Sequence, residues 1–274
     1  VTRIADKCNA EVSGSGHDYL VLAHGFGADK SIWGPLMPLL APYYRVVRYD
    51  LACAGSADPS LFDIRRHKSL DGYAEDLLGL LVELGIERCT FVGHSMSAMA
   101  GILAATMKPA FFERLVLIGA SPRYIEGPGY ASGFDQAEMA RMLDAITRDF
   151  DNWSLSFASV VVARPIDDPA TQTFLGSLRR MRPDIALATW QAIQTSDYRD
   201  VLTACRVPAV ILQTRNDPAV PMSVAEFLHS RLAGSILEIL DIKGHIPQII
   251  APAVVAESLR LKLPALAQRA HALD

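Results

Sequence analysis

The 274-residue chain has no run of like charge, only four cysteines, and no apolar stretch near the ~18 residues that a membrane-spanning helix needs. Its 26 Lys and Arg against 30 Asp and Glu leave a net charge of −4 that is dispersed along the sequence, so neither nucleic acid nor an anionic membrane is expected as a partner. Cys8, Cys53, Cys89 and Cys205 lie 45, 36 and 116 residues apart, which matches neither a disulfide framework nor a zinc-ligand spacing. They are expected as reduced thiols. Residues Val1 to Gly16 lack the apolar h-region of a signal peptide, so secretion is not expected and a cytoplasmic or nuclear location is. Phosphate-binding glycine loops, HExxH and glycosidase-like carboxylate pairs are missing as well, and no metal, nucleotide or other cofactor is implied. With half the residues apolar and 20% charged, disorder and fibrous repeats are excluded.

What the chain does have is a recurrence of short Val-, Ile- and Leu-rich runs. Tyr19 to Ala23, Tyr44 to Tyr49, Thr90 to Val92, Leu115 to Ile118, Ala209 to Leu212 and Ile236 to Leu240 read as buried parallel strands. Helical patterns lie between several of them, such as Tyr73 to Leu84 with Leu77, Leu78, Leu81 and Leu84 on one face. Alternation of this kind predicts an α/β fold, a mostly parallel central sheet flanked by helices. From Phe134 to Thr195 the alternation stops and four helical segments follow one another, two of them opening at Asp168-Pro169 and Arg182-Pro183, because Pro suits the first helical position. The expected division is a core of 1–124 with 197–274, and an inserted helical unit of 125–196. That unit is either a small bundle with its own core or a lid, and its aromatics Phe134, Trp153, Phe157, Phe174 and Trp190 fit both. The tail from Ala265 to Asp274 is expected to fray.

Chemistry is concentrated at Gly93-His94-Ser95-Met96-Ser97, which joins the strand Thr90 to Val92 to a small-residue helix from Ala98 to Met107. A strand, a sharp turn and a helix make a nucleophile elbow, in which Ser95 projects from the turn and small neighbours let it close; Ser97 replaces the usual second glycine. A serine hydroxyl needs a histidine base and an acid to orient that base. In the α/β-hydrolase order Ser, acid, His, the candidates are Asp217 and His245, each on a loop after a late strand. Glu126 and Asp241 are the rival acids. His17, His67, His229 and His271 sit before the first strand, in a polar loop, on a helix and in the tail, and His94 is given no proton-transfer role. The developing oxyanion needs main-chain donors, here expected from Met96 and from Phe26 in His24-Gly25-Phe26-Gly27. With no Asp nucleophile, the expected reaction is ester or lactone cleavage.

Several segments taken together resemble one known family. They are His24-Gly25-Phe26-Gly27-Ala28-Asp29-Lys30-Ser31-Ile32-Trp33, Tyr49-Asp50-Leu51-Ala52-Cys53-Ala54-Gly55-Ser56, and Gly93-His94-Ser95-Met96-Ser97-Ala98-Met99. To these are added Ala120-Ser121-Pro122-Arg123-Tyr124, Met181-Arg182-Pro183-Asp184-Ile185-Ala186-Leu187 and Gly244-His245-Ile246-Pro247-Gln248. The chain is similar over nearly its whole length to the strigolactone and karrikin receptors of plants, a group that includes bacterial stress-signalling regulators. The resemblance implies an α/β-hydrolase core with a four-helix, V-shaped lid, a butenolide ligand, and a Ser95, Asp217, His245 triad. It implies pocket walls at Phe26, Tyr124, Phe134, Met142, Trp153, Phe157, Phe174, Ile193 and Ala219. It also implies a monomer that hydrolyses slowly and signals, through an F-box protein and transcriptional repressors in plant members or a phosphatase in bacterial ones.

The chain departs from the family at Met96 (usually Val), Pro218 (commonly Leu), Gln194 (Phe in karrikin-type members) and Trp190 (a small residue there). Ala120 to Tyr124 leans toward the karrikin branch and Tyr49 to Ser56 toward the strigolactone branch. Three functions therefore stand side by side: a ligand-hydrolysing receptor, a metabolic carboxylesterase or lactonase, and a bacterial-type regulator or binding protein with incidental turnover. If Trp190 joins the pocket, a small butenolide is expected to bind more favourably than a multi-ring strigolactone; if it packs between lid helices, the reverse.

Overall fold

The computed structural model describes residues 3–263, so His271 and the tail from Ala265 lie outside the described residues. The first half of the chain forms α1 (Ile4–Lys7), β1 (Glu11–Ser13), β2 (Tyr19–Ala23), α2 (Met37–Leu40), β3 (Arg45–Tyr49), α3 (Leu70–Glu83), β4 (Cys89–His94), α4 (Met96–Met107) and β5 (Phe112–Ile118). Four helices follow, α5 (Gln136–Arg148), α6 (Phe150–Val162), α7 (Pro169–Leu178) and α8 (Pro183–Thr195). The chain then returns through β6 (Ala209–Asn216), α9 (Met222–Arg231), β7 (Ile236–Lys243), α10 (Pro247–Ile250) and α11 (Pro252–Lys262).

The seven strands lie in the order β1-β3-β2-β4-β5-β6-β7. Every neighbouring pair is parallel except β1 with β3, which run antiparallel with Val12 opposite Val47. Strands covered on both faces can be apolar throughout, and all six residues of β4 are buried. The edge strand β1 was not expected from the sequence: it is three residues long with Glu11 and Val12 exposed, so no apolar run marks it. From β2 the chain crosses to β3 in one direction, and from β3 through β4 to β5 in the other. Right-handed crossovers then place the segment 30–40 on one face of the sheet and α3 with α4 on the opposite face. The reversal falls between β2 and β4, and a crevice outside their carboxyl ends is where such sheets bind ligands. His24 to Gly27 and Ser95 stand there.

Local sequence starts and stops each helix of the insertion. Asp135 and Glu138 form a reciprocal capping box at α5, and Asp149 accepts from the Asn152 N–H at 3.1 Å to open α6. Asp168 accepts from the Ala170 N–H at 2.8 Å to open α7, with Pro169 at its first position, and Pro183 takes the same place in α8. α6 packs on α7, and α5 packs on both α6 and α8. Among the contacts that fasten this layer to the core, Ser177 Oγ donates to the Gly27 carbonyl at 2.8 Å, the Thr189 and Tyr73 hydroxyls lie 3.1 Å apart, and Arg180 pairs with Asp29. At the hinge, Asp197 accepts from Arg123 at 2.6 Å and from Arg199 at 2.8 Å.

Two local details go beyond what the sequence showed. His67 lies in the expected polar turn but is fully buried there, with Nε2 2.9 Å from Asp76, a partner nine residues on that only the folded chain brings near. β6 and β7 run on past Leu212 and Leu240, into polar residues that carry the following loops above the sheet. All four cysteines are buried free thiols, and burial pushes Cys8, Cys53 and Cys89 up to about 12 and raises Cys205 as well, which disfavours the reactive thiolate.

Candidate active site

Ser95 stands alone between the end of β4 and the start of α4, with φ +55° and ψ −123°, a region that side-chain-bearing residues seldom adopt. Its surroundings hold it there. The Ser95 N–H donates to the Ile118 carbonyl on the neighbouring strand at 2.8 Å, and a Cβ on Gly93 would lie 2.7 Å from the Ala98 Cα. Ser97, where a second glycine is usual, donates its hydroxyl to the His24 carbonyl and so ties the elbow to the loop after β2.

The three residues expected to act together meet. Ser95 Oγ lies 2.9 Å from His245 Nε2, and His245 Nδ1 lies 2.8 Å from Asp217 Oδ2. The other Asp217 oxygen accepts from the Ala219 and Val220 N–H groups at 2.8 and 2.9 Å, which fixes the carboxylate's orientation. An Nδ1–H that donates to Asp217 leaves Nε2 free to take the Ser95 proton. Neither rival acid is near: Asp241 pairs with Arg215 at 3.1 Å with its side chain 88% exposed, and Glu126 is exposed on a surface loop.

The main chain of His245 is gripped from two sides. Its N–H donates to the Val161 carbonyl of α6 at 2.7 Å, and its carbonyl accepts from His94 Nε2 at 2.8 Å. Burial, with the adjacent His245, holds His94 well below the usual imidazole range, so it stays neutral as an Nε2–H donor and positions the base. Gly119, at φ +56°, lies beneath the same ring, where a Cβ would come within 3.0 Å of His245 Cε1.

On the other side of Ser95 the loop after β2 passes so close that a Cβ on Gly25 would lie 2.9 Å from the Ser95 Cβ. His24 shapes this loop, its Nδ1–H donating to the Gly25 carbonyl at 2.8 Å while Nε2 accepts from the Leu51 N–H at 3.0 Å. The Phe26 and Met96 N–H groups flank Ser95, and neither is bonded to another described residue. They are free for an oxyanion. Tyr124 places its hydroxyl 3.3 Å from Ser95 Oγ, and burial pushes its ionisation above the ordinary phenol value, so it stays a donor.

Above the serine is a chamber of about 40 Å³. Of the expected walls, Phe26, Tyr124, Phe134, Phe157, Phe174, Trp190, Ile193 and Ala219 line it. Met142 and Trp153 are a correction: among the described residues they line an open outer groove of about 460 Å³, together with Pro218. Phe134 and Phe157 belong to both spaces. Met139, Val161 and Ile246 complete the chamber and were not expected. Gln194 does not reach it, and Met96 is fully buried behind it. The walls form one aromatic cluster, with Trp190 5.4 Å from Phe26 and 5.7 Å from Phe157 between ring centres, and Trp153 stacked on Phe157 at 4.8 Å.

The model of the alpha/beta hydrolase family matches residues 20–258. A strigolactone esterase of Arabidopsis thaliana is 43% identical, covering 95% of this chain and 98% of that protein. The karrikin insensitive 2 receptor IA of Petunia hybrida is 42% identical, covering 89% of each. Among solved structures, a hydrolase from Oleispira antarctica superposes with a TM-score of 0.89 at 25% identity, over 93% of this chain and 94% of that one.

Proposed function

Because the chain belongs to the strigolactone and karrikin receptor family of alpha/beta hydrolases, we propose that it is a butenolide receptor and slow serine hydrolase. The observation that carries this reading is the Ser95, His245, Asp217 relay at 2.9 and 2.8 Å, opening into an apolar chamber beneath helices. His245 Nε2 takes the hydroxyl proton as Ser95 Oγ attacks the lactone or ester carbonyl. The oxyanion forms against the Phe26 and Met96 N–H groups. His245 then returns the proton to the leaving oxygen, and a water activated in the same way releases the acyl group. Turnover is slow because a chamber this small, under packed helices, admits and releases ligand only as those helices move.

The receptor half of the reading calls for a partner of the F-box or transcriptional-repressor type, for which the lid offers exposed Val160 and Ile166. Ligand-dependent capture of such a partner separates a receptor from a plain metabolic esterase.

The deciding experiment incubates the protein with a butenolide and follows both product release and the intact mass. A transient adduct on Ser95 or His245 is expected. Ser95→Ala should lose at least about 10³-fold in turnover with unchanged melting, because triad members act as a unit. Should that variant keep more than about a tenth of wild-type turnover, the nucleophile is another residue.

A further inference from the structure

We infer that Gln213 is a positioning residue for the triad acid, its side-chain amide tying the Asp217 loop to the sheet and holding Asp217 Oδ2 on the His245 ring. The inference rests on the serine-hydrolase reading and adds a further residue to that same relay. Asp217 Oδ1 is gripped by the Ala219 and Val220 N–H groups, but these belong to the loop that carries Asp217 and move with it. The strand itself gives no firmer footing, because the β6–β7 register shifts between Thr214 and Asn216, just before the acid. A tie from the loop to regular sheet is needed, and Gln213 is placed to make it.

Gln213 lies on β6, fully buried, with Ile239 opposite it on β7. Its Nε2 donates to the Val220 carbonyl at 2.8 Å, which closes the acid loop back onto the strand. The same nitrogen lies 3.3 Å from Asp217 Oδ2, the oxygen that faces His245 Nδ1, and 3.2 Å from the Thr214 carbonyl. All three partners are acceptors, so the atom among them is the amide nitrogen; a flipped amide would set Oε1 against two carbonyls and a carboxylate. One proton serves Val220, and the other is left for Asp217 Oδ2 and the Thr214 carbonyl to share. Thr214 is no substitute, since its single hydroxyl proton goes to the Gly244 carbonyl at 2.8 Å, against 3.4 Å to Asp217.

The other end of the amide has nothing to hold. Gln213 Oε1 is buried with no hydrogen-bond partner among the described residues, a desolvation cost that an apolar side chain at this position would not carry. A polar group kept at such a cost needs a reason, and the Nε2 contacts to the acid and its loop supply one.

The test measures p-nitrophenyl acetate turnover, and the rate at which an ethyl fluorophosphonate labels Ser95 as read by intact mass. It uses the wild type, Gln213→Met, Asp217→Asn, the double variant and Ser95→Ala. Gln213→Met should lose about ten- to thirtyfold in kcat with KM within about threefold, because the chamber that binds the ester is untouched. In the Asp217→Asn background the same change should cost less than about twofold, since a residue that acts through Asp217 has little left to lose there. A kcat within about twofold of wild type in Gln213→Met overturns the inference, as does a loss that multiplies undiminished in the Asp217→Asn background or falls on KM alone. Gln213→Leu repeats the cycle if Gln213→Met does not melt cooperatively, and failure of both to fold makes Gln213 a plain core residue and overturns the inference too. Near-wild-type rates in Ser95→Ala or Asp217→Asn would instead bring down the relay itself, a result distinct from a silent Gln213→Met beside two crippled triad variants.

Discussion

Gly25, Gly93 and Gly119 at the strand ends leave no space for a Cβ, which would meet His94, Ser95, Ala98 or His245 at 2.7 to 3.0 Å. The helices above hold their site residues differently: Trp153, Phe157 and Trp190 meet Phe26 and one another through ring contacts of 4.8 to 6.3 Å. The lower half of the site is thus built from main-chain close approach and a strained serine, and the upper half from exchangeable side-chain volume. Changes below should destroy chemistry. Changes above should redirect it.

The largest expected effect sharpens the lower half. Asp217→Asn should cost about 10⁴-fold in turnover with little change in melting, because the amide would favour the wrong His245 tautomer. Glu126→Gln and Asp241→Asn serve as controls, and their exposed side chains predict rates close to wild type. A crippled Asp241→Asn beside an active Asp217→Asn would break the assignment of the acid.

The next prediction sets the two halves against each other. Gly119→Ala combines a strained φ of +56° with a contact on the His245 ring, and should lower kcat by about ten- to a hundredfold while KM moves little. Phe157→Leu should instead shift KM and ligand preference with kcat largely kept, the signature of altered uniform binding. If Gly119→Ala changed only KM, the claim that main-chain approach positions the base would be wrong.

The same contrast explains what could be read from the sequence. Ser95, Asp217 and His245 were legible because an elbow imposes small residues at fixed offsets and the triad partners follow in a set chain order, so spacing carries the geometry. The lid was legible as four helices and as aromatic, but not in its facing. Met139 and Met142 are three residues apart on one helix, about 60° around its axis, and the pattern cannot say which turns inward; the structure places Met139 on the chamber and Met142 on the groove. Val161 acts through a carbonyl and a wall contact that no side-chain pattern encodes. The pairing of His94 with the His245 carbonyl spans 151 residues and likewise leaves no local signal.

The smallest effect is expected at the hinge where the two halves join. Asp197 accepts from Arg199 and Arg123, and the hydrogen bond from Arg199 above all holds its carboxyl down at about 2. An unfolded aspartate titrates near ~3.9. The folded value is the lower one, so the unfolded state binds more protons between the two, and the stabilisation is present above pH ~4 and lost as pH falls toward about 2. Half-exposed ion pairs of this kind contribute at most about 1 kcal/mol, so the whole fold should survive the loss. Arg123 lies where the chain leaves the core for the helices and Asp197 where it returns, so the loosening should be felt first by the lid. The difference in melting temperature between wild type and Asp197→Asn should be small at pH 7 and shrink through pH 4 to 3, and the variant should admit bulky ligands faster at neutral pH. A difference that stays constant down to pH 3 would show that Asp197 stabilises the hinge by packing alone, and the join between the two halves would then owe nothing to its charge.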